Sequence, residues 1–272
     1  MTATPSASPA ASLLNSSSSE SAPAAFFREH GYWIARGLVD PQAITDLTRD
    51  FDRTVSQMEA SSEHINARWR YDTTTAVDGD PQACVIHTHQ IQKYSAAWMR
   101  WLLDERWLDA CELLLGPDIV LHHTKLFLKP AGRGAAFPPH QDWSYFPTAA
   151  HQMIAATVAL TSADDANGCL RLWPGSHKLG PLPASNGADG AFAARFPFAD
   201  SIVAEVQPGD VVFFSYLTVH GSLPNTSPRP RKSVLVQLHS GGDLLETGGH
   251  PASEIVLRGW NHRMTRERAD AS

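Results

Sequence analysis

Residues 211–220 have the sequence VVFFSYLTVH, an apolar run that ends in a histidine. Valine and phenylalanine are enriched in β-strands, and the turn sequence Pro-Gly-Asp at 208–210 comes directly before the run. We therefore predict a buried strand that begins at Val211 and ends at Val219. His220 would then lie at the end of that strand.

Similar runs fill the second half of the chain, whereas the first half has helical periodicity. Asp40-Pro41 is typical of a helix start, and apolar residues follow it at helical spacing. Helices followed by many short strands predict a mainly β fold with flanking helices, most simply a sandwich or jelly roll. The further predicted strands, separated by turn sequences, are residues 31–35, 119–128, 154–160, 168–173 and 233–239.

Composition limits the class of protein. Residues 1–24 are rich in Ala, Ser and Pro and are predicted to be a disordered tail, which leaves residues 25–272 as one domain. A net charge of −6 argues against a nucleic-acid partner, and the absence of a long apolar stretch argues against a membrane span. Cys84, Cys111 and Cys169 form no disulfide framework, so we expect reduced thiols and a cytoplasmic location. The oligomeric state is left open.

A candidate metal site combines His220 with His140 and Asp142. On a strand, residues two apart point to the same side, so His140 and Asp142 would face a common centre. Two imidazoles and one carboxylate on one face of a ferrous ion leave positions open, as in non-haem iron oxygenases. The same residue types are common in this chain, which has 13 histidines, so an ordinary structural role is the alternative.

Two other histidine pairs are rival metal sites. His87 and His89 have no carboxylate at a suitable spacing, and the adjacent His122 and His123 would point to opposite faces of a strand. We expect neither pair to bind a metal.

Arg231 is the candidate for binding a carboxylate, because a guanidinium offers a fork of donors. Arg229 and Lys232 compete for this role, and Ser222 offers a hydroxyl nearby. In a regular strand Arg231 would share one face with alternate residues up to His239, while the other face is more apolar. A surface position for Arg231 is therefore the alternative.

Several separated motifs occur together in the chain. They are HQDWSYFP at 140–147, NGCL at 167–170 with PGSHK at 174–178, PGDVVFF at 208–214, HGSLPN at 220–225 and RKS at 231–233. In this order and spacing, over about residues 26–262, they resemble the phytanoyl-CoA dioxygenase family of iron(II)- and 2-oxoglutarate-dependent oxygenases.

The resemblance implies a double-stranded β-helix, which is a jelly roll of the cupin type. It implies that His140, Asp142 and His220 are the iron ligands and catalytic residues, and that Arg231 and Ser222 bind the far carboxylate of 2-oxoglutarate. Thr157 stands where some members have a tryptophan facing the co-substrate. Some members also have a lysine upstream of the core, whereas the nearest segment here, residues 86–90, has histidine and glutamine.

The function implied is a dioxygenase that uses Fe(II), 2-oxoglutarate and dioxygen to oxidise, most simply to hydroxylate, a C–H bond of a small molecule such as a secondary metabolite. A non-catalytic cupin-like binding protein and a zinc-dependent hydrolase are the alternatives. Candidate substrate contacts, chosen for their nearness to the motifs or for a possible lid position, are Trp143, Tyr145, Arg171, Trp173, Arg68, Arg70 and Tyr71.

Overall fold

The computed structural model describes residues 21–61, 85–187, 189–246 and 251–264. Within these ranges the helices are α1 (Ala22–His30), α2 (Pro41–Ala60), α3 (Ala96–Trp101), α4 (Glu105–Leu115) and α5 (Gly190–Arg195). The strands are β1 (Tyr32–Ala35), β2 (Ile86–His89), β3 (Ile119–Lys129), β4 (Phe137–His140), β5 (Met153–Ala159), β6 (Leu170–Leu172), β7 (Ile202–Ala204), β8 (Val211–Ser215), β9 (His220–Ser222), β10 (Arg231–Ser240) and β11 (Ile255–Arg258).

The strands form two antiparallel sheets. The larger sheet has the order β1-β8-β5-β10-β3-β11, with β2 also paired to β3, and the smaller has the order β4-β9-β6-β7. Ala155 and Phe214 of the larger sheet pack against Leu172 and Ala204 of the smaller one, so the two sheets face each other. This is the predicted jelly roll.

Strand β10 shows how the larger sheet separates its two faces. Val234, Val236 and Leu238 are fully buried in a core that they share with the helices. The alternate residues, Arg231 and Leu235 among them, line a cavity between the sheets. The period of two therefore turns the apolar face toward the helices and the polar face toward the cavity.

Helix α2 begins as predicted at Asp40-Pro41. The Asp40 carboxylate accepts a hydrogen bond from the Gln42 backbone N–H at 2.8 Å, and Pro41 lies in the first turn, where its missing N–H costs nothing. The buried face of α2 includes Leu47 and Phe51, which covers the outer side of the larger sheet.

Two boundaries differ from the sequence prediction by more than two residues. Helix α1 begins at Ala22, inside the segment predicted to be a tail, because Ser21 caps it through the Ala24 backbone N–H. Strand β8 ends at Ser215 and not at Val219. The Thr218 backbone N–H donates to the Ser215 carbonyl at 2.7 Å, and this turn leads the chain from the larger sheet to the smaller one.

Cys111 and Cys169 are buried and free, and Cys84 lies outside the described residues. Among the described helices, none has the length and apolar character needed to cross a membrane.

Candidate metal centre and anion pocket

The two histidines of the candidate triad are brought together by the smaller sheet. His140 is the last residue of β4, His220 is the first of β9, and the two are direct partners in the antiparallel register. Asp142 follows in a short 3-10 turn, Asp142–Ser144, so the condition that His140 and Asp142 lie on one regular strand is not met. The turn nevertheless directs the carboxylate to the histidine pair.

The three side chains surround a common point. The Asp142 Oδ1 atom lies 3.7 Å from the Nε2 atom of His140 and 3.6 Å from that of His220. One ligand atom from each residue lies within 4.8 Å of the other two, and no other such group of His, Cys, Asp or Glu occurs in the described parts of the chain. The spacing fits a single ion held by three ligands.

Backbone hydrogen bonds orient both imidazoles. The Nδ1 atom of His140 lies 2.8 Å from the Pro138 carbonyl oxygen, and that of His220 lies 3.0 Å from the Thr218 carbonyl oxygen. A carbonyl only accepts, so each Nδ1 carries the proton and each Nε2 presents its lone pair to the centre. This is the tautomer that a metal ligand needs.

The charges of the triad also suit a divalent cation. Burial lowers the pKa of His140 to about 3 and that of His220 to about 4, so both imidazoles are neutral. Burial raises the pKa of Asp142 to about 6, and its buried Oδ2 atom has no hydrogen-bond partner. A buried, unpartnered carboxylate oxygen between two neutral imidazoles is a donor set that fits iron(II).

Gln141 holds the loop that precedes His220. Its amide nitrogen donates to the Leu217 carbonyl at 2.6 Å and to the Gly180 carbonyl at 3.1 Å, and its oxygen accepts from the Leu182 N–H at 2.9 Å. The residue between the two ligands on the first motif therefore positions the segment that carries the third.

A pocket of buried cations lies on the opposite sheet. Arg231 is only 8% exposed, which excludes the surface alternative, and its guanidinium donates to the Gly168 carbonyl. Lys129, directly opposite Arg231 in the register, is fully buried and donates to the Ser222 hydroxyl at 2.7 Å and the Leu223 carbonyl at 2.5 Å. The predicted pair of Arg231 and Ser222 is thus joined by a lysine that the sequence analysis missed.

These cations have no acidic partner among the described residues. Burial and then the Arg231 charge lower the pKa of Lys129 well below its usual value, and burial lowers the pKa of Arg231 to about 10. The Arg231 Nε atom is buried without a partner. Two adjacent buried cations are costly unless an anion joins them, and a carboxylate fits this pocket.

One cavity of about 310 Å³ connects the triad to the cation pocket. Thr157 and Tyr145, both predicted, lie on its wall. The Tyr145 hydroxyl also donates to the Asn186 carbonyl. The wall includes residues that the sequence analysis did not select: Lys125, Phe127, Phe137, Phe146, Phe214 and Leu235.

Three predicted substrate residues do not line this cavity. Trp143 packs against the cluster that includes Phe146 and Tyr216. Arg171 forms an ion pair with Asp165 at 2.6 Å, and Trp173 is buried in another apolar cluster. A contact of these three residues with substrate therefore stays a prediction. The other three candidates, Arg68, Arg70 and Tyr71, lie outside the described residues.

The rival histidines belong to the surroundings of the cavity. His122 and His123 do not point apart, because a bulge in the pairing of β3 with β10 skips His122 and brings their Nδ1 atoms within 2.7 Å of each other. His89 lies opposite Lys125 in the pairing of β2 with β3, and both side chains line the cavity with His123.

The sequence profile described as "Phytanoyl-CoA dioxygenase (PhyH)" matches residues 27–233. The chain belongs to the phytanoyl-CoA dioxygenase family. It is 30% identical over 222 residues to the peroxisomal phytanoyl-CoA dioxygenase of Bos taurus, covering 77% of this chain and 65% of that protein. It is 27% identical over 162 residues to the ectoine dioxygenase of Bordetella parapertussis, covering 52% of this chain and 53% of that protein. This chain spans less than two thirds of either relative.

Solved structures agree on the fold of this family member. One is a non-heme alpha ketoglutarate dependent epimerase from nogalamycin biosynthesis, with a TM-score of 0.66 and 23% identity, covering 87% of this chain and 97% of that one. Another is the carbocyclase of the same biosynthesis, with a TM-score of 0.67 and 21% identity, covering 83% of this chain and 86% of that one. The jelly roll predicted for the family is confirmed.

Proposed function

We propose that the protein is an Fe(II)- and 2-oxoglutarate-dependent dioxygenase that hydroxylates a C–H bond of a small organic molecule. The observation that carries this proposal is one cavity with two complementary ends. At one end two imidazoles and a carboxylate converge, and at the other end Arg231 and Ser222 line the wall, with the buried Lys129 hydrogen-bonded to Ser222. A keto acid bound at the metal through one end would reach Arg231 with its far carboxylate, and this would account for both ends of the cavity.

Each residue has a separable task in this proposal. His140, Asp142 and His220 would hold the metal at the cavity wall. Arg231, Lys129 and Ser222 bind the far carboxylate. When bound, iron(II) with 2-oxoglutarate and dioxygen supplies the oxidation of the C–H bond, with release of succinate and carbon dioxide.

The protein also excludes water from the reacting centre. Phe214 packs against the His220 ring with 4.5 Å between ring centroids, and Phe127 and Phe137 stand near the cation pocket at 5.6 Å from each other. Apolar walls keep the site at low dielectric, which strengthens the binding of the anion.

The fold permits more than one outcome. The structural relatives include proteins named as an epimerase and as a carbocyclase, so proteins of this fold carry out reactions other than the hydroxylation proposed here. A zinc hydrolase would leave the buried pair of Lys129 and Arg231 without a role, and a non-catalytic anion-binding protein would leave the triad of His140, Asp142 and His220 without one. A cytoplasmic location and the absence of a nucleic-acid partner remain predictions from composition.

The test is an anaerobic titration of the purified protein with Fe(II) and then 2-oxoglutarate, followed by visible absorption. A charge-transfer band from the metal–keto acid chelate is expected for the wild type and for the surface control His262→Ala, and it should be lost in His140→Ala. On admission of air, succinate should form only in the first two proteins. A folded wild type without the band would contradict the proposal.

A further inference from the structure

The larger sheet carries a second polar region on its cavity face, beyond the pair of Lys129 and Arg231. In the register of β3 with β10, Lys125 stands opposite Leu235, and His123 stands opposite Gln237. Four residues of extended chain separate Lys125 from Lys129, which is about 13 Å between Cα atoms. Lys125 and Lys129 therefore serve different parts of the cavity.

Lys125 has no counter-ion of its own. It forms no ion pair and no hydrogen bond with the residues that the structure describes, and its ammonium lies 4.9 Å from the centroid of the Phe127 ring. Within the described part of the chain, the one acidic group that acts on it is Asp142. Because that carboxylate is a proposed metal ligand, its charge is already used by the ion.

Gln237 is a second buried polar group beside this region. It is fully buried, yet neither its amide nitrogen nor its amide oxygen has a hydrogen-bond partner. It lies two positions past Leu235 on the same face of β10, next to His123, which lines the cavity. A buried amide with its hydrogen bonds unmade is costly. Gln237 does not line the cavity, so Lys125, which does, is the polar group that a ligand can reach.

The net charge of the loaded cavity favours an anionic substrate. With Lys125, Lys129 and Arg231 all taken as protonated, their positive charges and those of iron(II) exceed the negative charges of the keto acid and Asp142. Two positive charges then remain in a low-dielectric cavity. An anionic substrate is favoured there, while a cationic one would be repelled.

The rest of this region is aromatic. Phe146 lies 5.4 Å from His123 and 6.3 Å from Tyr145 between ring centroids, and Tyr145 lies 6.4 Å from the ligand His140. Rings this close to the metal centre provide an apolar surface for the body of a substrate.

We propose that the substrate is a carboxylic acid with an apolar body, whose carboxylate pairs with Lys125 and whose body lies against Tyr145 and Phe146. This inference rests on the proposed function, because it takes the metal and the keto acid to occupy their own ends of the cavity. The substrate is then held at its acid end, which fixes the distance from Lys125 to the carbon that is oxidised. Lys125 is a specificity residue in this scheme.

The test uses the enzyme loaded with Fe(II) and 2-oxoglutarate under argon. Two matched pairs of probes are titrated by calorimetry: phenylacetate with phenylacetamide, and octanoate with octanamide. At least one acid should bind the wild type ten-fold or more tightly than its amide. Lys125→Met should reduce that preference to within two-fold, Lys125→Arg should retain it, and the surface variant Lys178→Met should behave as the wild type.

The affinity for 2-oxoglutarate, measured on the same variants, separates the two roles that Lys125 could have. A change of less than three-fold in Lys125→Met is expected. A loss of ten-fold or more with unchanged acid preference would assign Lys125 to the keto acid and overturn the inference, as would a wild type that favours neither acid. Failure of the wild type to bind 2-oxoglutarate at all would instead contradict the proposed function itself.

Discussion

His140 and His220 are direct cross-strand partners of β4 and β9, and their ring centroids are 4.1 Å apart. Two of the three proposed ligands thus depend on the register of one short strand pair. At the residue after His220 this pair is unusually close, because a Cβ atom on Gly221 would lie 2.9 Å from the Phe137 carbonyl oxygen and 3.2 Å from the Phe198 ring.

Replacement of Gly221 by alanine should therefore weaken iron binding without touching a ligand. The added methyl group pushes β9 away from β4 and displaces His220 from His140. We expect the dissociation constant for Fe(II) to rise by about 10-fold, because loss of the contacts that orient a metal ligand lowers metal affinity by about 10-fold to 100-fold. Anaerobic equilibrium dialysis measures the constant. Gly190→Ala is the matched control, because a Cβ atom there meets nothing within 4 Å. Equal affinities in the two variants would refute the argument.

We expect a substitution of Lys129, which pairs with Arg231, to raise the stability of the ligand-free protein and to lower its affinity for 2-oxoglutarate. Without the keto acid, the two buried cations repel each other and Lys129 lacks an anion. Lys129→Met removes one charge, so the ligand-free protein should melt at a higher temperature than the wild type.

The same variant should bind 2-oxoglutarate about 30-fold more weakly, since loss of one partner of a buried charge pair costs about 2 kcal/mol or more. Thermal melting with and without the keto acid, in the presence of Mn(II) under argon, gives both quantities. Lys178→Met, at an exposed ion pair with Glu29, should leave both unchanged. A variant that is less stable without ligand and binds as tightly as the wild type would show that Lys129 has a packing role only.

The sequence permitted prediction of features that depend on local patterns. The alternation along β10 separated Arg231 and its neighbours from Val234 and Val236, and the structure places these two sets on opposite faces. The start of α2 at Asp40-Pro41 followed from the preferences of a helix cap. Both features are determined by residues that are close together in the sequence.

Features that depend on distant partners were not predictable in this way. Lys129 ends an apolar strand, where a lysine normally reaches solvent, and only the pairing with Arg231 shows that it is buried. The chain leaves β8 at Ser215 although the apolar run continues, because Tyr216 and Val219 are buried in clusters outside the strand. The apolar run at 211–219 therefore gave no sign in the sequence that the chain passes from the larger sheet to the smaller one.

The side chain of Gln141 holds the loop before His220, and its removal tests this role. Gln141→Ala leaves the carbonyls of Leu217 and Gly180 and the N–H of Leu182 without their partners in a buried place. The free energy of unfolding should fall by about 3 kcal/mol, since each orphaned buried group costs about 1–3 kcal/mol and relaxation recovers part of the sum. Urea unfolding of the metal-free protein provides the measurement.

The control for this variant is Gln207→Ala. That side chain is exposed and accepts one hydrogen bond from the Ser162 hydroxyl, so its loss should cost less than about 0.5 kcal/mol. If both variants unfolded at the same urea concentration, Gln141 would not hold the loop, and the position of His220 would need another cause.

Because Lys125 is largely buried, we expect the stability of the ligand-free protein to depend on pH. Burial lowers the pKa of Lys125 from 10.5 to about 8. Between these two values the unfolded chain binds the proton and the folded protein does not, so the contribution of Lys125 to the free energy of unfolding rises with pH. The gain is complete above 10.5 and is lost as the pH falls to about 8.

Lys125→Met removes this contribution, so the wild type should gain stability relative to the variant between pH 8 and 10.5, as measured by urea unfolding at several pH values without metal. A constant difference between the two proteins over this range would mean that the ammonium is as well solvated in the fold as in the unfolded chain, and the cavity would then exert no demand for an anion.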